Sequence, residues 1–196
     1  MASYRVFFAL PVSVQAEQQL QELASELRFD LDNGLTPEAV LRWVRPENYH
    51  ITLAFLGNIQ PRDVERLHRV ALSVVEEFAE AVTGSRAGLL QITTVEWFPS
   101  PLKPRLLVAS VADNSALQQL QRSLSRALRS EGFRLEKQAF RPHITLARGK
   151  ALVAPQNMSG IKMNIETEMD ELVLFNSTLS PAGSRYSPLF VETLGY

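Results

Sequence analysis

The pentapeptide His-Ile-Thr-Leu-Ala occurs twice in this chain, at His50–Ala54 and at His143–Ala147. Two of the chain's 3 histidines open these copies, and they stand 93 residues apart in a chain of 196. An exact repeat at that period predicts a duplicated supersecondary unit, one copy in each half. Side chains alternate between the two faces of a strand. In each copy the His and the Thr therefore share one face, and the Ile and the Leu share the other. The apolar face can enter a core while an imidazole and a hydroxyl point outward. Two such strands facing one another would bring together two imidazoles and two hydroxyls, which is enough for acid–base chemistry on a phosphate.

The repeat extends beyond the pentapeptide. Tyr4–Leu10 and Arg105–Val111 both read as short buried strands. Each is followed by a Ser and a helical pattern: Leu20, Leu23, Ala24 and Leu27 in the first half, and Leu117, Leu120, Leu124, Ala127 and Leu128 in the second. Each half then reaches its His strand through an Arg-Pro, at Arg45-Pro46 and Arg141-Pro142. After that the halves diverge. The first continues into a helix opening near Pro61, with Val64, Leu67, Val70, Ala71, Val74, Val75 and Phe78 on one face, and then a strand over Leu89–Phe98. The second offers strands near Ile161–Thr167, Leu172–Asn176 and Leu189–Leu194, with Pro181-Ala182-Gly183-Ser184 as a turn. The pattern predicts an α+β fold: one bilobal domain over 1–196, with repeat units of roughly 4–98 and 104–194. The expected architecture is two small, mostly antiparallel sheets flanked by helices, related by a pseudo-twofold axis and enclosing a central cleft.

Bulk properties narrow the function classes. The formal net charge is −1, with 21% charged residues, so this is no general nucleic-acid coater, although a local basic pocket is allowed. With no cysteine, neither a disulfide framework nor a thiolate zinc site can form. The apolar run after Met1 is too short for a secretory signal, and no run approaches the ~18 residues of a membrane span. The expectation is a soluble, cytoplasmic monomer with no membrane association.

Imidazole titrates near neutrality, at about 6.5 unperturbed. Two of them can divide acid and base roles in cleaving a phosphodiester without a metal: one activates water and the other protonates the departing oxygen. Thr52 and Thr145 share the faces of His50 and His143 and can donate to the phosphoryl oxygens. Arg148 falls on the opposite face by parity, so it can serve the phosphate only if the strand bends or ends near Ala147. A single His-x-Thr is ordinarily a polar pair on a half-buried sheet; packing has no need for two identical polar faces. His68, beside Glu65, Arg66 and Arg69, reads as a surface residue. Trp43, Trp97, Phe7 and Phe8 lie in apolar runs and read as core rather than base-stacking platforms. Arg42, Arg45 and Arg141 read equally well as phosphate ligands or as surface charges.

The two motifs His50-Ile51-Thr52-Leu53 and His143-Ile144-Thr145-Leu146 resemble those of the two-histidine phosphoesterase superfamily. Within it the chain is similar to the RNA 2′,3′-cyclic phosphodiesterases, historically called 2′-5′ RNA ligases. The likeness covers Arg5–Leu10, Arg42–Gly57, Phe140–Arg148, Leu172–Ser177 and Ser184–Leu189; Tyr49 departs from the aliphatic residue common in the family. The resemblance implies hydrolysis of an RNA-terminal 2′,3′-cyclic phosphate to a 2′-phosphomonoester, with reversible 2′-5′ ligation as a further activity and no metal or nucleotide cofactor. It implies His50 as proton donor, His143 as proton acceptor, and Thr52, Thr145 and Arg148 as phosphate ligands.

Two other readings keep the same motifs: an enzyme for small cyclic phosphates or 2′-5′ diesters, and a non-catalytic RNA-end binding module. The second does not call for two titrating groups. A His-ligated metal hydrolase would want carboxylates nearby, and neither His has an Asp or Glu two to four residues on. Turnover of a 2′,3′-cyclic phosphate is therefore expected to survive excess chelator. Loss in chelator, restored by one divalent cation, would move the site to the metal class.

Overall fold

The computed structural model describes residues 3–32, 39–82, 88–136, 139–150, 153, 160–180 and 183–195. Tyr4–Pro11 forms β1, whose Val6–Leu10 stretch is buried throughout, as expected of a strand covered on both faces. Helix α1, Val14–Asp32, opens where Ser13 Oγ accepts from the Ala16 amide at 3.3 Å, and it buries Leu20, Ala24, Leu27 and Leu31. Val40–Trp43 forms β2, a four-residue strand that the sequence pattern does not mark. The first His motif opens β3, His50–Ile59. A 3-10 turn at Pro61–Asp63 leads into α2, Val64–Ala81, which buries Leu67, Val70, Ala71, Val74 and Phe78. Strands β4, Leu89–Phe98, and β5, Leu106–Val111, follow. Asn114 caps α3, Ser115–Ser130, by accepting from the Leu117 amide at 2.9 Å. The second His motif opens β6, His143–Lys150. Then come β7, Ile161–Glu168, β8, Glu171–Ser180, and β9, Gly183–Thr193, which starts well before the expected Leu189. Pro181 and Ala182 of the expected turn lie outside the described residues.

All strand pairs are antiparallel, in the order β7-β4-β5-β6-β3-β1-β8-β9, with β2 on β6. The strands form one continuous nine-stranded sheet, and the two expected lobes are its two halves, joined where β3 meets β6 at one residue pair, Ile51 with Ile144. On one side of this seam lie β3, β1, β8 and β9; on the other lie β6, β5, β4 and β7. Each half of the chain therefore supplies the inner strands of its own lobe and lends strands to the other. First-half β4 lies between β5 and β7 in the second lobe, and second-half β8 and β9 close the first.

Both inner His strands carry a bulge. On β6, Thr145 faces Val108 and Ala147 faces Leu107, so Leu146 has no partner on β5. On β3, Thr52 faces Ala9 and Ala54 faces Phe8, so Leu53 is the extra residue. Consecutive burial of Leu146 with Ala147, and of Leu53 with Ala54, is the signature of that extra residue. A one-residue insertion reverses the facing of everything after it.

One face of the sheet contributes Val6, Phe8, Leu10, Ile51, Leu53, Ile144 and Leu146 to a core shared with Leu20 and Leu27 of α1, Leu67 and Phe78 of α2, and Leu120 and Leu124 of α3. Phe8 and Trp97 are core, as expected. Truncating fully buried Phe8 to Ala should cost ~3–5 kcal/mol in urea unfolding. The same truncation at Leu102, 93% exposed, should stay within ~0.5 kcal/mol.

Candidate active site

The polar face of the seam is set by register. Ile51 pairs with Ile144 in antiparallel sense and both point into the core. One step along each strand sets His50 opposite Thr145 and Thr52 opposite His143. The repeated motif thus builds a crossed quartet of two imidazoles and two hydroxyls on one surface. The bulge at Leu146 brings Arg148 onto this surface too. Arg148 lines a cleft of about 350 Å³ together with Arg5, Phe7, His50, Thr52 and Tyr186, and its charge acts on both imidazoles. The strand irregularity that Arg148 requires is present.

Both rings are held alike. His50 Nδ1 lies 2.7 Å from the Asn48 carbonyl, and His143 Nδ1 lies 2.7 Å from the Arg141 carbonyl. A carbonyl only accepts, so Nδ1 carries the hydrogen in each ring and Nε2 is left as the acceptor. His50 lines the cleft of Arg148, while His143 lines a smaller cavity of about 200 Å³ with Glu96, Phe98 and Arg141. His50 Nε2 is 3.1 Å from Thr52 Oγ1.

The surroundings of the two rings differ. Phe7, Phe175 and Tyr186 enclose His50, with ring centroids at 5.0, 6.2 and 5.3 Å. Phe7 sits on β1 opposite Phe55, two steps from Ala9 opposite Thr52, so it shares the His50 face. It was expected in the core; it is buried, but its ring forms the floor under His50. His143 stacks on Phe98 at 4.7 Å, and Arg141 covers the other part of that ring at 4.7 Å. Glu96 accepts a hydrogen bond from Ser110 and lies 3.6 Å from Arg141. Burial pushes the His50 pKa down to about 4, with Arg148 and His143 adding to the effect against the Asn48 hydrogen bond. Burial also lowers His143, helped by Arg141 and Arg148, but the Arg141 carbonyl and Glu96 work against it. Among the described residues no carboxylate does that at His50.

The other candidates divide. Arg141 packs beside His143, whereas Arg45 is exposed and 3.8 Å from Glu47. On β2, Arg42 faces Arg148 and Trp43 faces Ala147, and both line a neighbouring cavity, so Trp43 is a half-buried wall residue and not the core residue expected. His68 is not a free surface residue: its Nε2 lies 2.5 Å from Glu192 and its ring packs on Phe190, tying α2 to β9. Among residues the sequence did not single out, Phe55, Ser177 and Tyr186 line the cleft; β-sheet register, not local pattern, puts them there. Among the described residues, no three His, Cys, Asp or Glu side chains gather as a metal ligand set, and no helix is long and apolar enough to cross a membrane.

The LigT like phosphoesterase family model matches residues 10–108 and 110–186. The chain is 31% identical over 192 residues to an RNA 2′,3′-cyclic phosphodiesterase of Methanothermobacter thermautotrophicus, covering 86% of this chain and 97% of that protein. It is 28% identical over 177 residues to a protein of the same name from Geobacillus stearothermophilus, covering 88% of this chain but 52% of the longer relative. The crystal structure of Escherichia coli LigT complexed with 3′-AMP superposes with a TM-score of 0.67 at 25% identity, covering 98% of this chain and 99% of that one.

A group whose folded pKa is depressed binds fewer protons folded than unfolded, so stability falls as pH drops between the two values. For His50 that window runs from about 6.5 down to about 4. Melting temperature should fall through this range in the native protein and fall less in His50→Gln. An identical acid slope in both would contradict the assignment.

Proposed function

The chain belongs to the LigT like phosphoesterase family, and from that premise we propose that it hydrolyses RNA-terminal 2′,3′-cyclic phosphates to 2′-phosphomonoesters by two-histidine acid–base catalysis. The observation that carries this reading is the crossed quartet His50, Thr52, His143 and Thr145, with Arg148 acting on both imidazoles. The relatives named as RNA 2′,3′-cyclic phosphodiesterases and the 3′-AMP complex of a neighbour support the substrate class. All five side chains come from one chain, which supports a monomer as the working unit, and an RNA substrate suits a cytoplasmic enzyme.

His143 Nε2 takes a proton from water as the water oxygen bonds to phosphorus. His50 Nε2–H gives its proton to the 3′ oxygen as the P–O3′ bond breaks. The product keeps phosphate on the 2′ oxygen, and the pair ends with its proton on His143, to be reset by solvent. Arg148 and the Thr hydroxyls donate to the phosphoryl oxygens. Thr52 couples to this cycle. With His50 neutral, its hydroxyl is drawn to Nε2; with His50 protonated, it is free for phosphate. The division of labour follows the surroundings: the imidazole without a carboxylate neighbour is the stronger acid once protonated, and the one beside Glu96 is the stronger base. An anionic phosphate raises both pKa values on binding and so loads the acid.

His50→Ala and His143→Ala should each lose ~10²–10⁴-fold in turnover, and the double variant should lose far less than the product of the two. His68→Ala should keep its turnover while losing stability. An alkoxide needs a proton to leave and a thiolate does not. A substrate with sulfur at the bridging 3′ position should therefore rescue His50→Ala and leave His143→Ala impaired. The opposite pattern reverses the roles, and a 3′-phosphate product would overturn the proposed reaction.

A further inference from the structure

Two cavities meet at Arg148. One is the cleft around His50, about 350 Å³, near the low end of single-ligand pockets (~300–1,000 Å³). The second, about 580 Å³, lies between β2, the end of β6, and Leu179, Ser180, Gly183 and Ser184 of β8 and β9. The two share Arg148, Leu179, Ser184 and Tyr186. The proposed acid–base chemistry uses the first, around His50, and the smaller cavity beside His143, and leaves the second unused.

The second cavity has the chemistry of a polyanion site. Arg42, Arg45, Arg148 and Lys150 line it, and no carboxylate does among its described lining residues. This is a local feature in a chain of net charge −1. Register sharpens the point. Arg42 sits directly opposite Arg148 across β2 and β6, and Val40 opposite Lys150. Like charges at facing positions of a sheet destabilise it, and an anion held between them removes that penalty. The wall is tied to the catalytic ring: Asn48 donates from Nδ2 to the Ser184 carbonyl at 3.2 Å, while its own carbonyl holds His50. Trp43 and Tyr186 add aromatic surface. The far side of the seam is different. The cavity beside His143 is about 200 Å³ and carries Glu96 and Asp113 with a single Arg141. That side suits water and repels a second RNA strand.

We infer that the cavity of Arg42 and Lys150 binds the phosphodiester on the 5′ side of the terminal nucleotide, with Arg148 standing between that phosphate and the cyclic one. This rests on the proposed reaction at His50 and His143. It makes the enzyme a reader of RNA ends rather than of free nucleoside cyclic phosphates, and it sets the direction in which the strand enters.

The minimal probe is one phosphate. A nucleoside 2′,3′-cyclic phosphate carrying a 5′-phosphate should show at least ~10-fold higher kcat/KM than the same compound with a 5′-hydroxyl. The ratio should approach one in the Arg42→Gln, Lys150→Gln double variant. The preference should weaken with added salt, as a contact between exposed charges does. A ratio near one in the native enzyme, or an undiminished ratio in the variant, overturns the inference. Fluorescence anisotropy with a 5′-labelled RNA hexamer ending in a 3′-phosphate reads binding independently of turnover: at least ~10-fold weaker binding by the variant supports the site, and equal binding overturns it. If neither cyclic compound is hydrolysed, the proposed reaction falls and the hexamer still decides the site. The variant should melt no lower than the native protein, since it removes a repulsion; a lower melting temperature would assign these cations a structural role instead.

Discussion

Strands β3 and β6 meet at one residue pair, Ile51 with Ile144, and the rest of the molecule is arranged around that contact. Both isoleucines enter the core, so the side chains flanking them are forced onto the opposite face. That places two imidazoles and two hydroxyls against each other without any loop having to position them. Sites on strands are held more tightly than sites on loops, which suits a reaction in which two proton transfers must share one phosphate. The exchange of β4 for β8 and β9 between halves reinforces the seam, since neither lobe can complete its sheet without strands from the other half of the chain.

The repeated motif makes a site that is symmetric in its strands and unequal in its surroundings. The motifs and the carbonyl clamps on Nδ1 are the same on both sides. The surroundings are not. Aromatic rings enclose His50, while Glu96, Ser110 and Arg141 gather around His143. Arg148, which the second motif's bulge swings into the cleft, has an aromatic counterpart in the first motif, Phe55, which also lines it. The two motifs are alike in sequence, and the proposed division into acid and base rests on these unequal neighbours.

The parts of this account that were legible in the sequence are the local ones. Period-two alternation in His-Ile-Thr-Leu-Ala, the heptad-like stripes of α2 and α3, and the Pro99 that ends β4 all depend on residues near one another. What was hidden depends on distant pairing. Val-Leu-Arg-Trp is too short and too charged to announce β2, which exists because β6 offers it an edge. The facing of Arg148 turns on a bulge opposite β5, and no spacing within β6 reveals it. Phe7 read as core because its run is apolar; only the β1–β3 register shows that its ring lies under His50. His68 looked free because its partner, Glu192, is 124 residues away.

If both imidazoles act on one phosphate across the seam, a crystal structure with a nucleoside 2′-phosphate bound should show phosphoryl oxygens within ~3 Å of Nε2 of both His50 and His143, with Arg148 on the same phosphate. A phosphate seated on one imidazole alone, with the other turned away from it, would rule out shared action by the pair.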